Sequence, residues 1–168
     1  PDPSLEFKQN WKKYARKIIG VLWRSPGAWV FQTPVDHVAL GIPDYPQIVK
    51  RPMDFGTVKK NLNSDHYKGL EDFLFDVNQV FVNCTLYNRP ESDVGKIGIE
   101  ITGIWRKQCE LHHYLEIVLD IHRKQLPKPP GDDKNTKVAV VKEEAQEIVT
   151  STEPETTVSN GDQSLQST

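Results

Sequence analysis

Leu70, Phe73, Leu74, Val77, Phe81 and Cys84 recur at the i, i+3, i+4, i+7 spacing of one buried helix face. A chain that repeats this pattern can fold only by pressing such faces together. The repetition is clear. Phe7, Trp11, Tyr14, Ala15, Ile18, Ile19 and Leu22 form a second stripe, ended by Ser25-Pro26-Gly27. A short helix follows Asp54, read as its N-cap, with Phe55, Val58 and Leu62 inward. The Leu70 stripe defines a helix from about Gly69 to Tyr87. The last helix, capped by Ser92 or Asp93, carries Val94, Ile97, Ile101, Ile104, Trp105, Gln108, Leu111, Leu115, Val118 and Leu119. Gly95, Gly98 and Gly103 weaken it by roughly 1 kcal/mol each relative to Ala, unless close packing needs them. Four amphipathic helices without strand-like alternation predict an all-α bundle.

The helical pattern stops at residue 126. From Pro127 onward there is no aromatic residue, and Ser, Thr, Glu, Pro and Asn dominate. Such a composition cannot bury enough apolar surface to offset chain entropy, so 127–168 reads as a disordered acidic tail behind a domain spanning 4–126. Within it, 138–149 (VAVVKEEAQEIV) has the pattern of a marginal amphipathic helix. The tail sets four lysines against eight carboxylates, while 1–126 holds 17 basic and 15 acidic residues. Neither balance marks a dedicated nucleic-acid binder.

Mean hydropathy is −0.55 and no run of 18 apolar residues occurs, which fits a soluble chain of about one domain with no membrane span. The first residue is Pro1 and no charged-then-apolar leader precedes the domain. The sequence therefore reads as a piece of a larger protein, and a targeting signal can lie outside it. Cys84 and Cys109 both sit on apolar patterns, as buried free thiols of a reducing compartment would.

The connection between the first two helices is the odd element. Residues 26–53 span 28 positions with five prolines, where bundle loops need about 2–8 residues. It contains Trp29, Val30, Phe31, Val35, Val38, Leu40, Ile42, Tyr45, Ile48 and Val49, which are expected to pack rather than wave in solvent. Either it caps the bundle end or it builds a site on a rigid scaffold. The Leu70 stripe also ends oddly, reaching Asn88 before the polar run Arg89-Pro90-Glu91-Ser92. On the stripe alone Asn88 is as good a helix C-cap as a ligand group. By the same measure Tyr45 and Tyr87 are core aromatics with satisfied hydroxyls, and Cys84 is a small core residue.

The motifs "WVFQTPVDHVALGIPDYPQIVKRPMDFGTVKKNL" (29–62) and "FVNCTLYN" (81–88) change that balance. In combination and spacing they resemble a bromodomain, the acetyl-lysine reader, over roughly 4–125. The closest type is that of transcription regulators with an aromatic shelf at the loop start, usually Trp-Pro-Phe. Here Val30 replaces the proline, restoring backbone freedom and an amide donor beside the pocket mouth. The resemblance implies a left-handed antiparallel four-helix bundle with a long ordered loop between the first and second helices. It implies that Asn88 holds the acetyl carbonyl and Tyr45 anchors a water beneath it. Phe31, Val35, Leu40, Ile42 and Tyr87 would line the pocket. Trp29 and Val30 would form the shelf, Val94 the gatekeeper, and Met53 and Cys84 the floor. It further implies a nuclear, monomeric, non-enzymatic reader of acetylated histone tails, those of H3 or H4, without cofactor. The rival reading is a helical peptide-docking module that has lost acetyl-lysine selectivity.

The chemistry agrees with the resemblance. Acetylation turns a lysine cation into a neutral amide on an apolar stem. A carboxamide offers a donor to the acetyl C=O and an acceptor for the amide N–H. An Asn at a helix end with few neighbours is expected to stay partly unsatisfied until such a ligand arrives. Two further groupings stand apart from these motifs. Cys109, His112 and His113 lie at i, i+3 and i+4, but a structural zinc needs a fourth ligand, and Cys84, His37, His66 and His122 lack paired spacing. Lys8, Lys12, Lys13, Arg16 and Lys17 lie opposite the first helix's apolar face, as a solvated surface or a weak, non-specific contact with DNA or an acidic partner.

Overall fold

The computed structural model describes residues 3–128. The tail expected from 127 therefore falls, from residue 129, outside the described residues, together with the amphipathic stretch 138–149. All regular structure among the described residues is helical. In chain order it comprises α1 (Pro3–Gln9), α2 (Trp11–Trp23), a 3₁₀ turn (Ala28–Phe31), α3 (Tyr45–Ile48), α4 (Phe55–Asn63), α5 (Leu70–Tyr87), α6 (Asp93–Leu111) and α7 (Leu115–Gln125).

The long helices form at their stripes. Asp54 caps α4 as expected: one carboxylate oxygen accepts the Thr57 N–H at 2.9 Å and the other the Thr57 hydroxyl at 2.6 Å. Ser92, rather than Asp93, caps α6, its Oγ accepting the Gly95 N–H at 3.0 Å. The stripes meet in one core, where Ala15, Ile18, Leu22, Phe55, Val58, Phe73, Leu74, Val77, Ile101 and Trp105 are all but inaccessible. Helices α2, α4, α5 and α6 pack around it as the four members of the bundle.

Two of the expected helices are broken. The first is interrupted at Asn10, whose N–H donates to the Glu6 carbonyl while its own carbonyl accepts from Lys13 and Tyr14. The stripe survives because α1 folds its Phe7 ring onto Tyr14, with centroids 4.6 Å apart. The last helix was expected to run on through Leu119 but stops at His112. His113 takes a left-handed conformation (φ 58°), and Tyr114 N–H bonds back to the Cys109 carbonyl at 2.7 Å. That ending usually announces itself with glycine. Here tertiary contact holds it: Tyr114 is fully buried, and its hydroxyl donates to the Phe7 carbonyl at 2.6 Å. The break turns α7 onto α5 and leaves Leu111 exposed, against the expectation that it lay on the buried stripe.

The three glycines of α6 divide. A Cβ on Gly95 would lie 1.9 Å from the Arg89 carbonyl oxygen, and one on Gly98 2.5 Å from Cys84 Sγ. A Cβ on Gly103 would meet nothing within 4 Å. The first two are packing requirements and the third is not.

Candidate functional site

One end of the bundle is built by the long loop and by the turn after α5. At the loop start the 3₁₀ turn buries Phe31 against Phe55 and Phe81, edge to face, with centroids 5.9 and 6.4 Å away. The Val30 N–H is not free. It donates to the Gly27 carbonyl at 3.2 Å, which ties the turn to a glycine with φ 77°. Gln32 then locks the loop to the bundle, its side-chain amide donating to the Trp23 carbonyl and its own carbonyl accepting the Gly56 N–H.

Beyond Pro34 the loop satisfies itself. Leu40, Gly41 and Ile42 donate to Asp36, Val38 and His37. Because the backbone needs no other partner, burial of every apolar side chain is not required, and the expectation that they all pack fails in part. Trp29 is 72% exposed and Leu40 64%, and Val38 and Ile48 also face solvent. Val35 and Ile42 are half-buried, and Tyr45 and Val49 are buried.

Tyr45 meets Tyr87 edge to face, with centroids 4.9 Å apart. The two hydroxyls differ. Tyr87 donates to Asp44 at 2.9 Å, which raises its pKa. Tyr45 has no hydrogen-bond partner among the described residues, although the residue is only 7% exposed. No fully buried side-chain polar atom among those residues lacks a partner, so the Tyr45 hydroxyl must open onto accessible space. Burial, with Cys84 and Tyr87 nearby, raises its pKa too, so it is a neutral donor at physiological pH.

Asn88 follows directly on Tyr87 at the end of α5. It does occupy the helix C-cap, but in an extended conformation (φ −102°, ψ 138°) rather than the left-handed one. Its backbone N–H and its side-chain Nδ2 both donate to the Cys84 carbonyl, at 2.9 and 3.1 Å. The amide is thus less idle than expected, since one N–H already orients it. The second N–H has only a 3.9 Å contact with Cys84 Sγ, and Oδ1 has no partner among the described residues. Cys84 lies beneath, buried against α6, where its thiol reaches the Val94 carbonyl at 3.8 Å. Burial pushes that thiol up to about 11, the Asn88 contact opposing it, so it is neither thiolate nor nucleophile near neutral pH. Val30, Met53 and Val94 rest half-buried on the same core.

The structure thus brings Phe31, Tyr45, Cys84, Tyr87, Asn88 and Val94 to one end of the bundle. Trp29 and Leu40 stand out from it. Two clefts, of about 590 and 740 Å³, flank the first turn of α5, around Arg51, Tyr67 and Asp76 and around Lys8, Trp11 and Ile117. No residue predicted for the site lines either. Among the described residues no three His, Cys, Asp or Glu side chains converge as metal ligands, and His112 instead bonds the Gln108 carbonyl.

Sequence reasoning missed the supports. Asn83 Nδ2 donates to the Arg51 carbonyl at 2.8 Å, and Arg51 pairs with buried Asp76 at 2.6 Å, which Tyr67 also bonds. These contacts fix the far end of the loop to α5. Their signal was present: Asp76, Asn78, Gln79 and Asn83 are polar residues inside an apolar helix, and all four are buried with partners. Asp44, which holds Tyr87, carried no such signal.

A family model for the bromodomain matches residues 16–99, half of the chain. Over 99 residues, 59% of the chain, the sequence is 41% identical to the SWR1 complex bromodomain subunit bdf1 of Schizosaccharomyces pombe. The matched stretch is 17% of that relative's own length.

Proposed function

The chain belongs to the bromodomain family, and on that premise we propose that it binds acetylated lysine as a non-enzymatic reader of chromatin in the nucleus. The observation that carries this reading is the pairing of two underused polar groups in an apolar setting. The Asn88 amide, oriented by Cys84, keeps an N–H and its Oδ1 available, and the Tyr45 hydroxyl, with Cys84 and Tyr87 nearby, opens onto accessible space. The acetyl carbonyl takes the Asn88 N–H, the ligand's amide N–H faces Oδ1, and Tyr45 holds a water below. Phe31, Val35, Ile42, Tyr87, Met53, Cys84 and Val94 supply the apolar lining. Trp29, Val30 and Leu40 form the rim, where exposed apolar surface can cover the lysine stem.

Magnitudes describe a modest reader. Four methylenes and a methyl at about 0.8 kcal/mol each contribute at most roughly 4 kcal/mol. The hydrogen bond adds about 1 kcal/mol net. Ordering of the peptide offsets part of this, leaving affinity in the millimolar to micromolar range. An unmodified lysine would bury an unpaired ammonium at a cost of several kcal/mol, so selectivity rests on desolvation. Acetylated histone tails, H3 or H4, are the ligands that fit a chromatin subunit. We assign the function to residues 4–126.

The test is Asn88→Ala. Its side chain makes one modest bond to an already occupied carbonyl, so the melting temperature should stay within a few degrees. Affinity for an acetylated histone peptide should fall at least about tenfold in calorimetry, the equivalent of roughly 1.4 kcal/mol. Unchanged affinity, or equal binding of acetylated and unacetylated peptide by the parent protein, would overturn the reading in favour of a general peptide-docking module.

A further inference from the structure

A carboxamide is two-ended: its NH₂ donates two hydrogen bonds and its carbonyl only accepts. Inside a protein it is stable only when each end meets its opposite. Asn78, Gln79 and Asn83 sit in the buried run of α5, and Gln125 stands half-buried in the last turn of α7. These four amides join head to tail. The Trp105 indole N–H donates to Asn78 Oδ1 at 3.3 Å. Asn78 Nδ2 donates to Gln125 Oε1 at 2.7 Å and to His122 Nδ1 at 3.1 Å. Gln125 Nε2 donates to Gln79 Oε1 at 3.0 Å and to the Phe75 carbonyl at 2.9 Å. Gln79 Nε2 donates to Asn83 Oδ1 at 2.8 Å, and Asn83 Nδ2 to the Arg51 carbonyl at 2.8 Å.

The anchors fix the sense of this relay. An indole N–H can only donate, and the Phe75 and Arg51 carbonyls can only accept. Turning any one amide over would set carbonyl against carbonyl or N–H against N–H, so all four point the same way. Bonds aligned in series polarise one another in a low-dielectric interior. Without Gln125, Gln79 loses the donor that orients it. Gln79 in turn keeps Asn83 with its N–H toward Arg51.

Arg51 is where the relay reaches the site. Two residues before it, Val49 is buried, and its N–H donates to the Tyr45 carbonyl at 2.8 Å. Two residues after it, Met53 rests half-buried on the core. Tyr45 and Met53 both belong to the pocket proposed above. Helix α7, by contrast, lies outside the residues 16–99 that the family model matches.

Resting on the acetyl-lysine reading, we propose that Gln125 and Gln79 are positioning residues of that pocket. From α7 they hold the Arg51 carbonyl, and through it Tyr45 and Met53, in the arrangement that receives the ligand. The helix that follows the bundle thus sets the affinity of a site at the far end of α5.

The experiment combines calorimetry with an acetylated histone-tail peptide and amide hydrogen exchange of the free full chain. Gln125→Met keeps the length of a half-buried side chain and removes both ends of the amide. It should bind about three- to fivefold more weakly, part of what one hydrogen bond is worth. The Val49 and Gly56 N–H groups, bonded to the Tyr45 and Gln32 carbonyls, should exchange faster. Gln79→Met should lose at least as much, and the double variant no more than Gln79→Met alone, because the two act in series. The control is Val118→Ala, which loosens the packing of buried Val118 on the same helix and leaves the relay intact. It should melt earlier with affinity and both amides unchanged, since under about 1% of a stable domain is unfolded near room temperature. Parent-like affinity and exchange in Gln125→Met, an equal loss in Val118→Ala, or additive losses in the double variant would overturn the proposal. Gln125→Met and its control decide even if Gln79→Met does not fold. If the parent itself ignores the acetylated peptide, the pocket reading has failed. The relay is then judged on exchange alone, and unchanged Val49 and Gly56 amides in Gln125→Met would overturn it.

Discussion

Replacing Gly95 by alanine should damage both the fold and the site, although alanine is the better helix former. The reason is local. The new Cβ would stand 1.9 Å from the Arg89 carbonyl oxygen, 2.9 Å from its carbon and 3.0 Å from Ser92 Oγ. That oxygen belongs to backbone and cannot swing aside like a side chain. It also accepts the Ser92 N–H at 3.1 Å and the Ser92 hydroxyl at 2.7 Å, and the same hydroxyl oxygen caps Gly95 N–H. Opening the turn forfeits a cap of about 1 kcal/mol. The two bonds to Arg89 are worth about 1 kcal/mol each. Better helix propensity returns about 1 kcal/mol. The net loss is about 2 kcal/mol, which lowers the melting temperature by about 8 °C in a domain of this size. Gly103→Ala is the internal control, since its Cβ meets nothing within 4 Å. It should stabilise by up to about 1 kcal/mol. Thermal melts and urea titrations of the two variants make the comparison. Because Arg89 follows Asn88 directly, acetyl-peptide affinity should fall with Gly95→Ala and hold with Gly103→Ala. A Gly95→Ala protein that melts at or above the parent would refute the argument that the α5–α6 turn is held by this close approach.

Val30→Pro should destabilise the protein by about 1 kcal/mol, because the substitution removes the N–H that Gly27 accepts and disfavours the helical backbone of Trp29 before it. Melting at a higher temperature, together with tighter peptide binding, would show that the shelf gains from proline despite the lost bond. The second expectation concerns acid. His122 is held below the ordinary imidazole value of 6.5 by burial first and by Arg106 second, and its Nδ1 accepts from Asn78 at 3.1 Å, which needs the neutral ring. The unfolded chain therefore takes the proton first, so this contribution is complete above about pH 7 and is lost as pH falls through 6.5 toward the lower folded value. Urea midpoints at pH 7.5 and 5.5 should fall more for the parent than for His122→Gln, and equal falls would assign the acid sensitivity to other groups.

How much of this was legible follows from the range over which each signal acts. Helical periodicity is a property of one segment, so the stripes at Leu70–Cys84 and Tyr14–Leu22 predicted their helices without any partner. Caps are equally local: Asp54 bonds three residues ahead and Ser92 likewise, so the first was readable as a letter and the second was narrowed to Ser92 or Asp93. The position of Asn88 one turn past Cys84 was legible for the same reason. Conditions imposed by distant chain were not. The break at His113 depends on Tyr114 reaching Phe7, 107 residues away, and no glycine marks it. Gly95, Gly98 and Gly103 look alike in sequence, and only the approach of Arg89 and Cys84 makes two of them obligatory. Trp29 and Leu40 are as apolar as Phe31, yet burial requires a facing surface, and the core offers one to Phe31 alone of the three. Whether the Asn88 amide, the Tyr45 hydroxyl and the Val30 N–H are engaged or available was decided by tertiary structure, because a hydrogen bond depends on where two groups meet and sequence alone records only that each exists.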